Sequence, residues 1–143
     1  MRKLTVGQKK TYRVHRDAMA EFGHDLGFTM KGAHWLNDDT LVWFPNMTQS
    51  EEDIANRGYG NHREENGGEV YIVEVAADEK KLDRILKSID SLRIAFPRDK
   101  GTDYYFDGLY KYDGTDKAKR SVKWKRIAIE IDTTDYPVSS SEG

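Results

Sequence analysis

Three runs near the C-terminus decide the fold: Leu92-Arg93-Ile94-Ala95-Phe96, Tyr104-Tyr105-Phe106-Asp107-Gly108-Leu109-Tyr110 and Val122-Lys123-Trp124-Lys125-Arg126-Ile127. Each is rich in β-branched and aromatic residues, which suit a pleated, half-buried surface, and each is bounded by Gly, Asp or Pro. Three strands in succession are predicted. The middle one is read through to Tyr112, with Gly108 as a bulge or a point of close backbone approach. In the last, Val122 and Trp124 share one parity while Ile127, Ile129 and Ile131 share the other. The register must therefore slip near Lys125-Arg126, most simply through a bulge or the end of a sheet. Between the second and third runs, Asp113-Gly114 to Arg120 reads as a charged loop.

Working back from there, Leu82, Ile85, Leu86 and Ile89 fall at i, i+3, i+4 and i+7. They predict an amphipathic helix capped by Asp78 and running to Ser91. Glu69 to Val75 reads as a strand buried on at least one face. Asn46 to Gly68, with Gly58, Gly60, Gly67 and Gly68 and few apolar anchors, reads as a long loop, a length common in functional or disordered segments. Thr40-Leu41-Val42-Trp43-Phe44 is a strong strand ended by Pro45 and fed by a turn at Asn37-Asp38-Asp39. Phe28-Thr29-Met30 fits a short strand between the turn glycines Gly27 and Gly32. Val14, Ala18, Met19 and Phe22 predict a helix over Thr11 to Phe22, stopped by Gly23. Residues 1–10 read as a loose lead-in or a short edge strand.

The expected architecture is α+β: a curved, mostly antiparallel sheet or partial β-barrel with two flanking helices. It forms one domain over residues 1–132, with a disordered tail over 133–143. At 143 residues the chain suffices for one domain with a real core. There is no cysteine, which excludes disulfides and cysteine metal sites. No apolar run reaches the length of a membrane span and the N-terminus lacks the apolar core of a signal peptide, so a cytoplasmic location and no membrane partner are expected.

The net charge of −2 argues mildly against nucleic acid, but its distribution changes that reading, with scattered solvated charge as the plain alternative. Met1 to Leu36 carries seven Lys/Arg against three Asp/Glu, and Arg93 to Ile127 ten against five. Glu51 to Leu92 carries six against eleven. Such segregation allows a basic face on a nearly neutral protein.

Cations and flat rings together can hold phosphates and stack on bases. Lys117, Lys119, Arg120, Lys123, Lys125 and Arg126 cluster on a hairpin and its strand, with Arg13, Arg16 and Lys31 as possible additions. The plainer alternative for them is a solvated edge strand. Trp35, Trp43, Tyr59, Tyr71, Tyr105 and Trp124 offer faces for stacking. Asn61, Asp107 and Asn37 offer groups to read a base edge. For Trp43, Tyr71 and Phe106 the competing expectation is core packing, whereas Trp35 and Tyr59 flank Gly- or Asn-rich loops.

The four histidines, His15, His24, His34 and His62, show no His-x-x-x-His spacing, so no metal is expected. The Gly-rich loops lack Gly-Lys-Ser/Thr, and there is no Gly-x-Ser-x-Gly elbow. No cofactor and no catalytic residue are expected.

The series Phe22-Gly23, Gly27, Thr40-Leu41-Val42, a Gly-rich loop, Arg93-Ile94-Ala95-Phe96, Tyr105-Phe106-Asp107-Gly108-Leu109-Tyr110 and Val122-Lys123-Trp124-Lys125-Arg126-Ile127 resembles the SRA-like domains of the PUA superfamily. These are domains joined to nucleases in modification-dependent restriction systems. The resemblance spans roughly residues 20 to 130. It implies a β-barrel flanked by helices that binds duplex DNA and turns a modified base into an aromatic pocket. It also implies that cutting belongs to a separate nuclease domain or partner, of the HNH type in such systems, and it points to phage defence. Two rivals remain. One is a protein-interaction module of immunity or anti-defence type, using the acidic segment Glu51 to Asp90. The other is a small enzyme using His24-Asp25 or His34.

Overall fold

The computed structural model describes residues 3–24 and 33–136. Its elements run β1 (Lys3–Thr5), β2 (Thr11–Tyr12), α1 (His15–Ala20), β3 (Ala33–Trp35), β4 (Thr40–Trp43), α2 (Glu51–Arg57), β5 (Tyr59–Asn66), β6 (Glu69–Ala76), α3 (Glu79–Leu86), β7 (Leu92–Ala95), β8 (Tyr104–Tyr105), β9 (Leu109–Asp116), β10 (Ser121–Ala128) and β11 (Glu130–Asp132), followed by a 3-10 turn at Thr133–Asp135. The chain is α+β, as its strand and helix signals predict.

Seven strands form one sheet in the order β3-β4-β7-β9-β10-β6-β5, and two short pairs, β1-β11 and β2-β8, lie outside it. All neighbours in the large sheet are antiparallel except β4 and β7. The sheet is curved but not closed into a barrel, with β3 and β5 as its edges. Its curl is nonetheless strong. Strands β6 and β7 are three steps apart, about 14 Å on a flat sheet, yet Glu74 on β6 meets Arg93 on β7 at 3.1 Å. Bridges from Asn61 on β5 to Met47 and Thr48 draw that edge toward the segment that follows β4.

Two cores follow from the two faces of this sheet. On the outer face Val42, Phe44, Ile94, Phe96 and Leu109 pack with Leu4, Tyr12, Met19, Phe22 and Ile131. On the inner face Leu41, Trp43, Ala95, Tyr110 and Trp124 pack with Ile72, Ala76 and the α3 residues Leu82 and Ile85. Helix α3 forms as its apolar spacing demands, and the Asp78 side chain accepts the Lys81 N–H at its start.

Several expectations need correction. The helix placed over Thr11 to Phe22 is shorter, because Thr11 and Tyr12 pair with Tyr105 and Tyr104 instead. The stretch Asn46 to Gly68 is not a loop. Ser50 caps α2 by accepting the Asp53 N–H, three acidic residues fill its first turn, and Gly58 ends it at φ 93°. β5 then runs as an edge strand whose outer half is polar, which hid it from an apolar pattern. There are thus three α-helices among the described residues rather than two.

The segment Tyr104 to Tyr112 is split into β8 and β9. Gly108 breaks it at φ 108°, and a Cβ there would meet the Ala128 carbonyl at 2.6 Å. The loop placed at Asp113 to Arg120 shrinks to a turn at residues 117–120, since β9 continues to Asp116. The register slip expected near Lys125-Arg126 is a pair of irregularities, between Val122 and Trp124 and between Arg126 and Ala128. α3 ends at Leu86 rather than Ser91. Thr133 is buried in the 3-10 turn and Tyr136 packs against Phe22. The strand expected at Phe28–Met30, the glycines Gly27 and Gly32, Asp25, Lys31 and residues 137–143 lie outside the described residues.

Candidate nucleic-acid interface

Side chains alternate across a strand, so register assigns each residue to a face. Tyr59, Asn61 and Arg63 pair with Ala76, Glu74 and Ile72. Ile72 pairs with Trp124, which pairs with Tyr112. Arg93 pairs with Leu41 and with Tyr110, and Tyr110 pairs with Arg126. One face of the curled sheet therefore carries Tyr59, Asn61, Arg63, Glu74, Arg93, Tyr110, Trp124 and Arg126, with Trp43 beside them.

A cavity of about 320 Å³ opens on this inner face, lined in part by Trp43, Tyr59, Asn61, Glu74, Ser88 and Arg93. That volume is at the lower end of small-molecule pockets, roughly 300–1,000 Å³. Arg93 organises its floor. Its guanidinium lies over Trp124 at 3.8 Å and Trp43 at 4.6 Å, and donates to Glu74 at 3.1 Å and Ser88 Oγ at 3.0 Å. Trp124 Nε1 donates to the same Glu74 oxygen at 3.2 Å. Burial lowers the Arg93 pKa, against the pull of the Glu74 carboxylate; the guanidinium stays charged.

Two residues of this lining each hold a buried polar atom with no hydrogen-bond partner among the described residues: Asn61 Oδ1 and Arg93 Nε. The Asn61 amide is held by its Nδ2, which donates to the Asn46 carbonyl at 3.0 Å. Buried polar atoms are nearly always paired, so these two stand out among the described residues.

A second network sits beside it. Asp107, buried between β8 and β9, accepts from Arg63 at 2.7 Å, from the Tyr110 hydroxyl at 2.7 Å and from Arg126 at 3.4 Å. Arg63 also donates to the Tyr105 hydroxyl at 3.1 Å. Burial opposes the Arg63 charge, but the hydrogen bond and charge of Asp107 outweigh it and hold its pKa above the ordinary guanidinium value. Burial, then the charge and hydrogen bond of Asp107, push the Tyr110 hydroxyl well above an ordinary phenol.

The residues singled out in the sequence thus fall into separate groups. Trp43, Tyr59 and Asn61 meet in the cavity. Trp35, half exposed at 51%, stands on edge strand β3 on the same face as Ala33, which also lines the cavity. Tyr105, Asp107 and Arg126 join the buried network, where both Asp107 oxygens are engaged.

The expected cation cluster is partly neutralised. Lys123 pairs with Glu64, Lys125 with Glu69 and Arg126 with Asp107. Arg120 donates to the Ala76 carbonyl, while Lys117 and Lys119 are exposed at the turn. The acidic middle segment is likewise divided, since Glu64 and Glu69 serve these lysines and Glu74 is buried against Arg93. His34 is buried and meets His15 at 3.3 Å. Asp25, the partner expected for His24, lies outside the described residues.

Arg63, Glu74, Arg93 and Tyr110 escaped the sequence reading. A signal existed for two of them. Arg93 and Glu74 are single charges inside apolar runs, Leu92-Arg93-Ile94 and Val73-Glu74-Val75, and a charge forced into a core needs an opposite partner.

The fold is an α+β domain built on a curled sheet, with a cavity on the inner face lined by aromatic and polar side chains. The family model SRA, SET and RING associated domain, matches residues 3–133, and the chain belongs to that family. Membership supports a DNA-binding, modified-base-reading role in general. No curated protein matches the chain. No helix among the described residues is long and apolar enough to cross a membrane.

Proposed function

We propose that this domain reads duplex DNA carrying a modified base by accepting the extruded base in the inner-face cavity. An enzyme or reader that must reach all of a base takes it out of the stack, and a pocket compensates by stacking and by hydrogen bonds to the base edge. Trp43 and Tyr59 supply the ring faces. Asn61 and Arg93 supply the polar groups that read the base edge. The observation that carries the reading is that Asn61 and Arg93, each with a buried polar atom that lacks a partner among the described residues, line one cavity together with Trp43 and Tyr59.

Trp35 stacks on a neighbouring base at the β3 edge. Lys117, Lys119 and Arg120 at the β9–β10 turn meet phosphates. Lys123 and Lys125 join them by exchanging Glu64 and Glu69 for phosphate, an exchange of one anion for another. Arg126, Tyr105 and Asp107 set the wall that Gly108 brings against β10. The domain binds and does not cut, and strand cleavage is left to a nuclease domain or subunit of a restriction or phage-defence system.

Fluorescence polarisation tests this with one duplex sequence, unmodified or carrying 5-methylcytosine, 5-hydroxymethylcytosine or N6-methyladenine at a single position. One modified duplex should bind more tightly than the unmodified one, and affinity should fall steeply with salt. A protein that binds none of them even at low salt is not a DNA reader.

A further inference from the structure

A second cavity, of about 420 Å³, adjoins the first. The two share Asn46 and Arg57 in their linings. Four cations line the second: Arg13 from the β2–α1 link, Arg57 at the end of α2, and Arg98 and Lys100 from the turn after β7. They come from three stretches far apart in sequence. Two carboxylates, Asp53 and Asp103, line it too. Each of these accepts a threonine hydroxyl, Thr48 for Asp53 and Thr11 for Asp103.

None of the four cations makes an ion pair among the described residues. This separates them from Lys123, Lys125 and Arg126, which all do. Arg98 is fixed in place. Its Nε donates to Asn46 Oδ1 at 3.0 Å and its guanidinium lies over the Tyr104 ring at 4.7 Å. Arg13, Arg57 and Lys100 are exposed and carry no such restraint. The cleft therefore holds an excess of positive charge, four cations against two carboxylates, with none of the cations in an ion pair among the described residues.

We infer that this cleft binds the phosphodiester flanking the nucleotide whose base enters the neighbouring cavity, with Arg57 at the junction of the two. The inference rests on the base-reading proposal above. A base swung out of the stack carries its own backbone phosphates to the mouth of the pocket, and unpaired guanidinium groups are suited to phosphate oxygens. A phosphate displaces no existing partner here, whereas at the Lys123–Arg126 strand it must displace a glutamate or aspartate. Phosphate contacts position the strand but carry no base information.

The test is the salt dependence of duplex binding for Arg13→Ala, Arg57→Ala and Lys100→Ala, measured by fluorescence polarisation on the unmodified and modified duplexes. The triple variant should lower the slope of log K against log salt by about 0.9, the value for one lost phosphate contact, and each single substitution should lower it by part of that. Each should weaken both duplexes by the same factor, leaving discrimination intact. Arg57→Lys should restore most of the slope, and Lys80→Ala, on the exposed side of α3, should leave it unchanged. Unchanged slopes in all three alanine variants, with Tyr59→Ala still removing discrimination, would overturn the cleft and leave base reading standing. Loss of discrimination at an unchanged slope would also overturn it, as base contact rather than phosphate contact. If the unsubstituted protein binds no duplex, base reading fails and the cleft assignment falls with it.

Discussion

The Arg63 guanidinium on edge strand β5 donates to the buried Asp107 carboxylate at 2.7 Å, although β5 and β9 are separated by two strands in the sheet order. This contact ties the β5 edge of the sheet to its middle across the curl.

Removing either partner should loosen that curl unequally. Arg63→Ala leaves Asp107 with Arg126 and Tyr110, so the loss is about that of one charged hydrogen bond, roughly 1.5–3 kcal/mol. Asp107→Ala strands two guanidinium groups and a buried hydroxyl, and should cost more, about 3–5 kcal/mol. Urea unfolding reads both as a lowered midpoint. An Asp107→Ala loss no larger than that of Arg63→Ala would show that Arg126 and Tyr110 draw nothing from this carboxylate.

The inner-face charge pair makes a parallel prediction. Glu74→Gln leaves the nearly enclosed Arg93 charge without its counter-ion, and should destabilise by about 3–5 kcal/mol. The two indole rings flanking Arg93 cannot replace a carboxylate. Thermal unfolding of this variant beside the parent decides it.

For the cavity itself, Tyr59 is the informative position, because Trp43 also packs the core. Tyr59→Ala should weaken binding of the preferred modified duplex by about 1–3 kcal/mol, the range for one stacked base. Binding of the unmodified duplex should change little. Equal weakening of both duplexes would remove Tyr59 from base reading.

Gly108 is held at φ 108°, and a Cβ at this position would meet the Ala128 carbonyl at 2.6 Å. Gly108→Ala should cost at least about 1–3 kcal/mol in backbone strain alone, with the steric clash added. A variant as stable as the parent would mean that the β9–β10 approach relaxes freely.

The alkaline limb of stability should report Tyr110. Burial, and then Asp107, raise its folded pKa above the ordinary phenol value. Its contribution is fully present below about pH 10, the unfolded value. It is lost as pH climbs from there toward the folded pKa, because the unfolded chain releases the proton first. Tyr110→Phe should make this decline shallower. It should not abolish it, since burial also raises Tyr104, Tyr105 and Tyr136. Denaturant titrations at a series of alkaline pH values check the sign.

How much of this was legible beforehand depended on the range of the signal. The strands around Leu92, Tyr110 and Trp124 and the helix after Asp78 were readable because period-2 and period-3.6 apolar patterns are local. β5 was not, because an edge strand with a polar outer half, His62 to Asn66, leaves no such pattern. Its pairing with β6 comes from the turn at Gly67-Gly68 and from the full ladder between the two strands. The cations of the last hairpin were visible as a cluster, but their glutamate partners lie on other strands.

The amino-acid sequence by itself determined the α+β class, the three C-terminal strands, the helix on the sheet and the resemblance that the family match upholds. Only the tertiary structure decided which charges are occupied and which are open. Arg93 with Glu74 and Arg63 with Asp107 are neighbours through sheet curvature and strand order, and Arg13, Arg57 and Lys100 line one cleft through the links and the helix end that carry them. Coulomb attraction and desolvation depend on distances in space, and a curled sheet sets those distances independently of spacing along the chain.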